Sequence, residues 1–346
     1  MSLMPPWGLD RIGTVTDLMT QKLVTVFGGS GFIGRHLVRH LAAQGWRVRV
    51  AVRDVQKAWF LKPAGDLGQI SLVPASVLDP ASIARAVQGA DAVVNLVGAL
   101  YEKGGARSFQ SLHVTGAANV AKAAAAAGVS HFVQMSALGA DAHATSKYAR
   151  TKAEGEKAAR DAFPKVTIIR PCVVFGPEDG FFNLFGTIAQ FSPILPFFTN
   201  TVPHAAGGGG PRFQPVYVGD VVDAIAQCLD GAAHQGQVYE LAGPRIYDMR
   251  EILNIVNAAS MRRRWVAGFP FFVASLEAFV LQMLPKPPLT PDQVKMLKLG
   301  NVATGRLPGL AAFGIAPTTV EVVVPTYLKR FRPVQQNKKL RLEART

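Results

Sequence analysis

Cysteine is nearly missing from this chain. Its 346 residues hold two, Cys172 and Cys228, far apart and without the spacing of metal ligands. That excludes a disulfide framework and a cysteine-based zinc site, suits a reducing compartment, and leaves no metal to expect. Acidic residues are scarce too: 23 Asp and Glu stand against 37 Lys and Arg, a formal net charge of +14 with a pI near 10.0. Such an excess favours an anionic neighbour. Nucleic acid is not the expected one, because no zinc finger and no aromatic RNA-stacking motif accompanies the charge. The first 21 residues lack a long apolar run and carry Asp10 and Asp17, so they resemble neither a signal peptide nor an Arg-rich transit peptide.

What the chain has in plenty is apolar and small residues. Hydrophobic residues make up 49 % and charged ones 17 %, enough for a large core and a second lobe. The most informative stretch is Gly28-Gly29-Ser30-Gly31-Phe32-Ile33-Gly34. It follows the apolar run Leu23 to Phe27, which reads as a buried parallel strand, and precedes Arg35 to Leu41, whose apolar spacing is helical. Between a strand and a helix, such glycines permit a tight turn and let the backbone approach a pyrophosphate, which the helix N-terminus then holds. Gly28, Gly29, Ser30, Gly31, Phe32 and Ile33 are the expected cradle.

The second strand, Arg47 to Arg53, ends 19 residues after Gly34, where the ribose-recognising residue belongs. An acid there would bind the 2′-hydroxyl of NAD. Arg53 stands there instead, and a guanidinium pairs with a 2′-phosphate, so the expected cofactor is NADP(H). The competing reading makes Arg53 a solvated strand end and gives the ribose to Asp54.

Further strands at Ile70–Pro74, Ala92–Val97, His131–Ser136 and Val166–Pro171 alternate with helices at Phe109–Ala127 and Tyr148–Ala162. This pattern predicts an α/β fold: a doubly wound parallel sheet of the Rossmann kind with a smaller, mostly helical C-terminal lobe. Residues 20–171 plus 216–245 would form the nucleotide-binding unit, 172–215 plus 246–330 the apolar lobe, and 331–346 a basic tail. Ligands of such sheets lie outside the carboxyl ends of the strands. That adds Ser76, Leu78, Leu96, Val97, Gly98 and Pro171 to the expected cofactor contacts.

In order along the chain, the glycine turn, Asn95-Leu96-Val97-Gly98, Tyr148-Ala149-Arg150-Thr151-Lys152, Arg170-Pro171 with Phe175-Gly176-Pro177, and Val218-Gly219-Asp220-Val221 resemble the extended short-chain dehydrogenases/reductases over about residues 20 to 245. Within that superfamily, Tyr148 to Glu156, Phe175 to Asn183 and Pro288 to Val294 resemble the NDUFA9-like branch, the 39 kDa accessory subunit of respiratory complex I and its bacterial relatives. The resemblance implies complex I subunits as partners and a bound NADPH that is structural, with no turnover attributed to the fold. It also implies a membrane-associated setting. Without a transit peptide, that is the cytoplasmic side of a bacterial inner membrane, or the matrix side in a eukaryote.

Enzymatic chemistry would need Tyr148 and Lys152, four apart on one helix face, with Tyr148 as the proton donor or acceptor at a carbonyl. A neighbouring ammonium should bring the phenol down toward working pH, and Lys152 should also hold the nicotinamide ribose. The substrate-holding Ser or Thr of the extended reductases aligns with Ala137, leaving Ser136 one residue early. The helix position often held by Asn is His113. Three functions fit: a non-catalytic NADP(H)-binding accessory subunit of NADH:quinone oxidoreductase, an active NADP-dependent reductase or epimerase using Tyr148, Lys152 and Ser136, and a nucleotide-sensing binding protein.

The small lobe is aromatic, with Phe181, Phe182, Phe185, Phe191, Phe197 and Phe198 in its first segment. Gly207 to Gly210 reads as a flexible loop and Asp220 as a helix N-cap. Trp265 to Leu284, between Arg262-Arg263-Arg264 and Lys286, reads as a flat interfacial helix on an anionic membrane surface or as a buried helix of the lobe.

Overall fold

The run Leu23–Phe27 is apolar apart from one threonine, its three central residues are β-branched, and every side chain of it is buried. A strand buried on both faces belongs in the middle of a sheet covered by helices on each side. The computed structural model, which describes residues 21–200, 209–284 and 287–333, puts it there. The strands are β1 (Leu23–Phe27), β2 (Arg47–Val52), β3 (Ile70–Pro74), β4 (Ala92–Asn95), β5 (His131–Met135) and β6 (Thr167–Pro171). They continue as β7 (Val174–Phe175), β8 (Ile194–Thr199), β9 (Arg212–Phe213), β10 (Val216–Tyr217), β11 (Val238–Leu241), β12 (Tyr247–Asp248) and β13 (Trp265–Pro270). Seven of them form one parallel sheet in the order β11-β6-β5-β4-β1-β2-β3. The order reverses between β1 and β4, which opens the ligand crevice of a doubly wound sheet at their carboxyl ends.

Alternate side chains feed the two faces. Val24, Val26, Val48 and Val50 pack under the helices Phe32–Ala43 and Val218–Gln227. Phe27, Val93, Phe132 and Ile168 pack under Pro80–Val87, Gly116–Ala126 and Lys147–Ala162. The buried threonine of β1 is satisfied: Thr25 Oγ1 donates to the Ala86 carbonyl at 2.8 Å. A third core gathers Phe175, Phe182, Leu195, Phe197, Phe213, Tyr247, Ile252, Tyr327 and Phe331, drawn from the small-lobe segments. Leu310 and Phe313 pack instead with the sheet.

Asp179 holds this third core to the loop before it. Its carboxylate accepts the N–H groups of Gly176, Phe181 and Asn183 at 3.1, 2.9 and 3.2 Å and the Tyr327 hydroxyl at 2.6 Å. Asn183 returns its amide to the carbonyls of Pro177 and Asp179 and accepts from Arg330 at 2.6 Å. Burial pushes the Asp179 carboxyl up against the pull of these donors.

Several local expectations give way to packing. Phe109–Ala127 is not one α-helix, because Gln110–Thr115 winds as a π-helical turn before Gly116–Ala126 begins. Trp265–Leu284 is not a single interfacial or buried helix. Its first six residues are β13, paired in parallel with β8 from Trp265↔Ile194 to Pro270↔Thr199, and only Phe271–Leu281 is helical. Asp220 is not an N-cap. It lies in the first turn of Val218–Gln227, and its carboxylate accepts from Thr318 N–H and Oγ1 at 2.7 and 2.8 Å. In the glycine loop, Gly209 and Gly210 are wedged, since a Cβ would meet the Asp248 carboxylate at the first and Phe197 at 2.9 Å at the second. Gly207, Gly208, Lys286 and the tail from residue 334 lie outside the described residues.

Asp179→Ala leaves three amides and a buried hydroxyl without an acceptor, so it should cost about 3 kcal/mol in urea unfolding. Glu178→Ala, removing a partly exposed partner of His36 and Arg35, should cost under about 1 kcal/mol in the same assay.

Candidate functional site

The turn after β1 is built by the absence of side chains. Gly28 has φ +78°, and a Cβ on it would stand 3.2 Å from the Leu96 backbone. A Cβ on Gly29 would come within 2.6 Å of Val50 Cγ1, and one on Gly34 would run into the Gly28 carbonyl oxygen and stand 2.6 Å from Gly29 Cα. The helix Phe32–Ala43 therefore starts hard against the strand. Gly31 caps it without a side chain, its first turn carries no acid, and its first i−4 bond runs from Arg35 N–H to the Gly31 carbonyl at 3.0 Å. The N–H groups of Phe32 and Ile33 precede that bond and have no intrahelical acceptor, the arrangement that holds a pyrophosphate.

The other expected contacts reach the same edge. Leu96 N–H bonds the Phe27 carbonyl at 3.0 Å, which brings the end of β4 beside the turn. Ser76 and Leu78 follow β3, with Leu78 N–H on Ser76 Oγ at 3.3 Å, and Pro171 closes β6. Arg53 follows β2 and is exposed. Asp54 is engaged elsewhere: it pairs with Lys57 at 2.8 Å and accepts the Lys57 N–H at 3.3 Å.

Deeper in the crevice lies an aromatic and cationic cluster. Tyr148 meets Phe109 and His113 edge-on, with ring centroids 5.7 and 5.3 Å apart, and Phe109 stacks on His113 at 5.1 Å. Lys152 Nζ sits 5.8 Å from the centre of the Tyr148 ring, donates to the Met135 carbonyl at 3.5 Å, and lies 3.1 Å from where a Gly98 Cβ would be. A side chain at Gly98 would thus press on the lysine ammonium. Behind it, Glu156 forms a two-pronged pair with Arg170 of β6, at 2.6 and 2.8 Å.

The expected electrostatics are reversed. Burial pushes the Tyr148 phenol up to about 12 rather than toward neutrality. Burial likewise brings the Lys152 ammonium down to about 8, against the opposing pull of Glu156. Burial dominates both shifts, and the ammonium lies over the Tyr148 ring. Among the described residues the Tyr148 hydroxyl has no hydrogen-bond partner.

His113 does not reproduce an asparagine. Its Nε2 accepts the Ala99 N–H at 3.1 Å, which leaves the proton on Nδ1, 3.1 Å from Thr151 Oγ1. Burial and the Lys152 charge hold the imidazole down at about 3, so it stays neutral. Its carbonyl is covered by the next helix, where a Cβ on Gly155 would collide with it. Ser136 leaves β5 with its N–H on the Ile169 carbonyl at 2.7 Å. Its hydroxyl is buried and has no partner among the described residues. An orphaned donor at the exit of β5, with β4 between it and the side-chain-free turn after β1, fits a polar ligand lying along the strand ends.

One functional neighbour escaped the sequence reading. Asp292, carried by the helix Pro291–Leu299, caps the helix of Tyr148 and Lys152 from 144 residues beyond Tyr148. The motif around it was visible, but its target was not.

A family model described as NAD(P)H-binding matches residues 28–179. Among solved structures, an NADPH-dependent quinone oxidoreductase of Escherichia coli, complexed with NADPH, superposes with a TM-score of 0.66 at 21 % identity, covering 88 % of this chain and 99 % of that one. Fold and matched family model thus define a Rossmann-type chain with an NAD(P)H-binding domain. Mitochondrial NADH dehydrogenase (ubiquinone) 1 alpha subcomplex subunit 9 of Mus musculus is 33 % identical over 312 residues, covering 90 % of this chain and 80 % of that protein. The chain belongs to that NDUFA9-like family of complex I subunits. A ceramide reductase of Caulobacter vibrioides is 37 % identical over 185 residues, 52 % of this chain and 55 % of that enzyme.

Lys152 titrates at about 8 in the folded chain, against an ordinary 10.5. Between those values the unfolded chain binds more protons, so this lysine makes stability rise with pH across the window. Lys152→Met removes that rise. In urea unfolding its advantage over the wild type should be largest below pH 8 and shrink toward pH 10.5.

Proposed function

We propose that this protein is a non-catalytic NADP(H)-binding accessory subunit of an NADH:quinone oxidoreductase, with the nucleotide serving as a structural strut. The observation that carries the reading is the state of the Tyr148 site. The phenol is buried and pushed up to about 12, the lysine faces its ring, and His113 spends both ring nitrogens on Ala99 and Thr151. Neither His113 nitrogen is left free to relay a proton from Tyr148. The nucleotide would lie with its pyrophosphate on the Phe32 and Ile33 amides and its nicotinamide end toward Gly98, Tyr148, Lys152 and Ser136. When bound, it supplies hydride chemistry in relatives that are enzymes. Here it adds binding energy to the folded state alone, about 2.7 kcal/mol at a hundredfold excess over its dissociation constant. Exposed Arg53 favours the 2′-phosphate of NADP(H), while Asp54 is paired with the exposed Lys57.

Attachment to the complex would be peripheral. No helix among the described residues is long and apolar enough to cross a membrane. The helix Phe271–Leu281 leaves Phe272, Leu276, Phe279 and Val280 exposed, and the next helix exposes Lys295 and Lys298, the latter with its ammonium 5.6 Å from the centre of the Phe271 ring. That mix suits an anionic membrane surface at the base of the complex, on the cytoplasmic side in a bacterium. The arginine triplet contributes less than its charge suggests. Arg262 and Arg264 donate to the Phe331 and Ala189 carbonyls at 2.7 and 2.8 Å, leaving Arg263 to project.

A second reading, an active NADP-dependent reductase or epimerase, draws on the unpartnered Ser136 hydroxyl and on the likeness to a ceramide reductase. One experiment separates the two. The protein purified from native membranes should co-migrate with an NADH-oxidising assembly and carry NADPH whose fluorescence persists for hours after carbonyl substrates, including long-chain ketones and 4-keto sugar nucleotides, are added. Rapid loss of that fluorescence would establish the enzyme instead. Arg53→Asp should weaken NADPH binding at least tenfold while changing NADH binding less than threefold, measured by fluorescence titration. Equal losses would remove the basis for the phosphate assignment.

A further inference from the structure

The helix Lys147–Ala162 begins at a buried serine, Ser146, whose hydroxyl accepts the Ala149 N–H at 3.3 Å. Its other free N-terminal donors turn outward, toward the second lobe. Asp292 takes them all. Its Oδ2 accepts from the Ser146 hydroxyl at 2.8 Å and from the Tyr148 N–H at 2.9 Å, and its Oδ1 accepts from the Lys147 N–H at 2.8 Å. A carboxylate at a helix N-terminus is stabilised both by these charge-assisted bonds and by the helix dipole. This cap reaches the helix from a separate part of the chain, 145 residues beyond Lys147.

The segment that carries Asp292 is built to hold it still. Thr290 and Gln293 form a reciprocal capping box, and Pro291 occupies the first helical position. Gln293 also reaches the Leu100 carbonyl at 3.4 Å, while Lys147 pairs with Glu102 at 2.9 Å and Glu102 accepts the Phe109 N–H at 2.8 Å. Loop and cap meet above Tyr148. On its other side the same segment packs with Phe271–Leu281 around a small core of its own, Phe271, Ala274, Ala278 and Val294. The hairpin 271–299 thus has a satellite core on one side and, on the other, a polar grip on the first turn of the helix bearing Tyr148 and Lys152.

From this we infer that Asp292 is a positioning residue that couples the nicotinamide end of the crevice to the hairpin 271–299. The inference rests on the nucleotide-binding reading above. Any ligand that fixes Lys152 and the Tyr148 turn fixes the donors that Asp292 grips, and hence the hairpin. By linkage, anything that holds the hairpin tightens the nucleotide by the same factor.

Hydrogen exchange on the full chain, with and without NADPH, tests this. In the wild type, NADPH should slow exchange at residues 28–37 and, at least threefold, at residues 271–284, which lie outside the crevice. Asp292→Ala should keep the first effect and lose the second, and should release NADPH at least threefold faster. If that variant does not fold, Asp292→Asn carries the same test, since its amide would turn a donor toward donors. A hairpin that responds equally in variant and wild type, or not at all while residues 28–37 respond, overturns the coupling. No protection at residues 28–37 in the wild type overturns the nucleotide reading itself, and the coupling with it.

Discussion

Everything at the crevice depends on how little space separates β1 from the helix that follows it. Gly34 sits almost on Gly29, and Gly28 turns with φ +78° against the Leu96 backbone. No side chain fits at any of these positions. Because the helix starts there, its unsatisfied amides face the switch point between β1 and β4, and every later strand end is placed relative to that edge. Larger residues at Gly28 and Gly34 would not adjust the site but would move the helix off the sheet, since the clashing atoms there are backbone.

Within the crevice, desolvation outweighs charge pairing. An ammonium about 6 Å from a phenol attracts its anion by a few kcal/mol at an effective dielectric near 20, yet both Tyr148 and Lys152 shift toward their neutral forms. The cause is their surroundings: Phe109, the stacked neutral His113 and the covering helix turn exclude water from both groups. A tyrosine and lysine at the right spacing are therefore no guarantee of an ionised phenol. The geometry of the ammonium and its exposure decide the sign.

Much of the sheet was legible. Apolar, β-branched runs separated by helical spacing place β1 to β6 within two residues, β4 ending at Asn95 rather than Val97, and the glycine run finds its turn because strand and helix flank it. Failures occurred where a distant partner decides. Trp265–Pro270 looks like the start of an amphipathic helix until β8, about seventy residues earlier, offers it a ladder. Arg262 and Arg264 look like a surface patch until Phe331 and Ala189 present carbonyls. Asp292 was visible only as part of a motif, because nothing local says that its carboxylate will seat on another helix. The alignment of Ser136 against Ala137 pointed to a misplaced hydroxyl. Its burial at the strand exit, unpaired, could be read only from the fold.

The wiring of His113 constrains what can stand at that position. A shorter amide side chain could not reach Ala99 N–H and Thr151 Oγ1 together, so an asparagine there strands one of two buried groups. The carbonyl covered at Gly155 adds to the constraint, since uncovering it requires two helices to part. The fit at position 113 is therefore a requirement of folding in its own right, whatever the crevice binds.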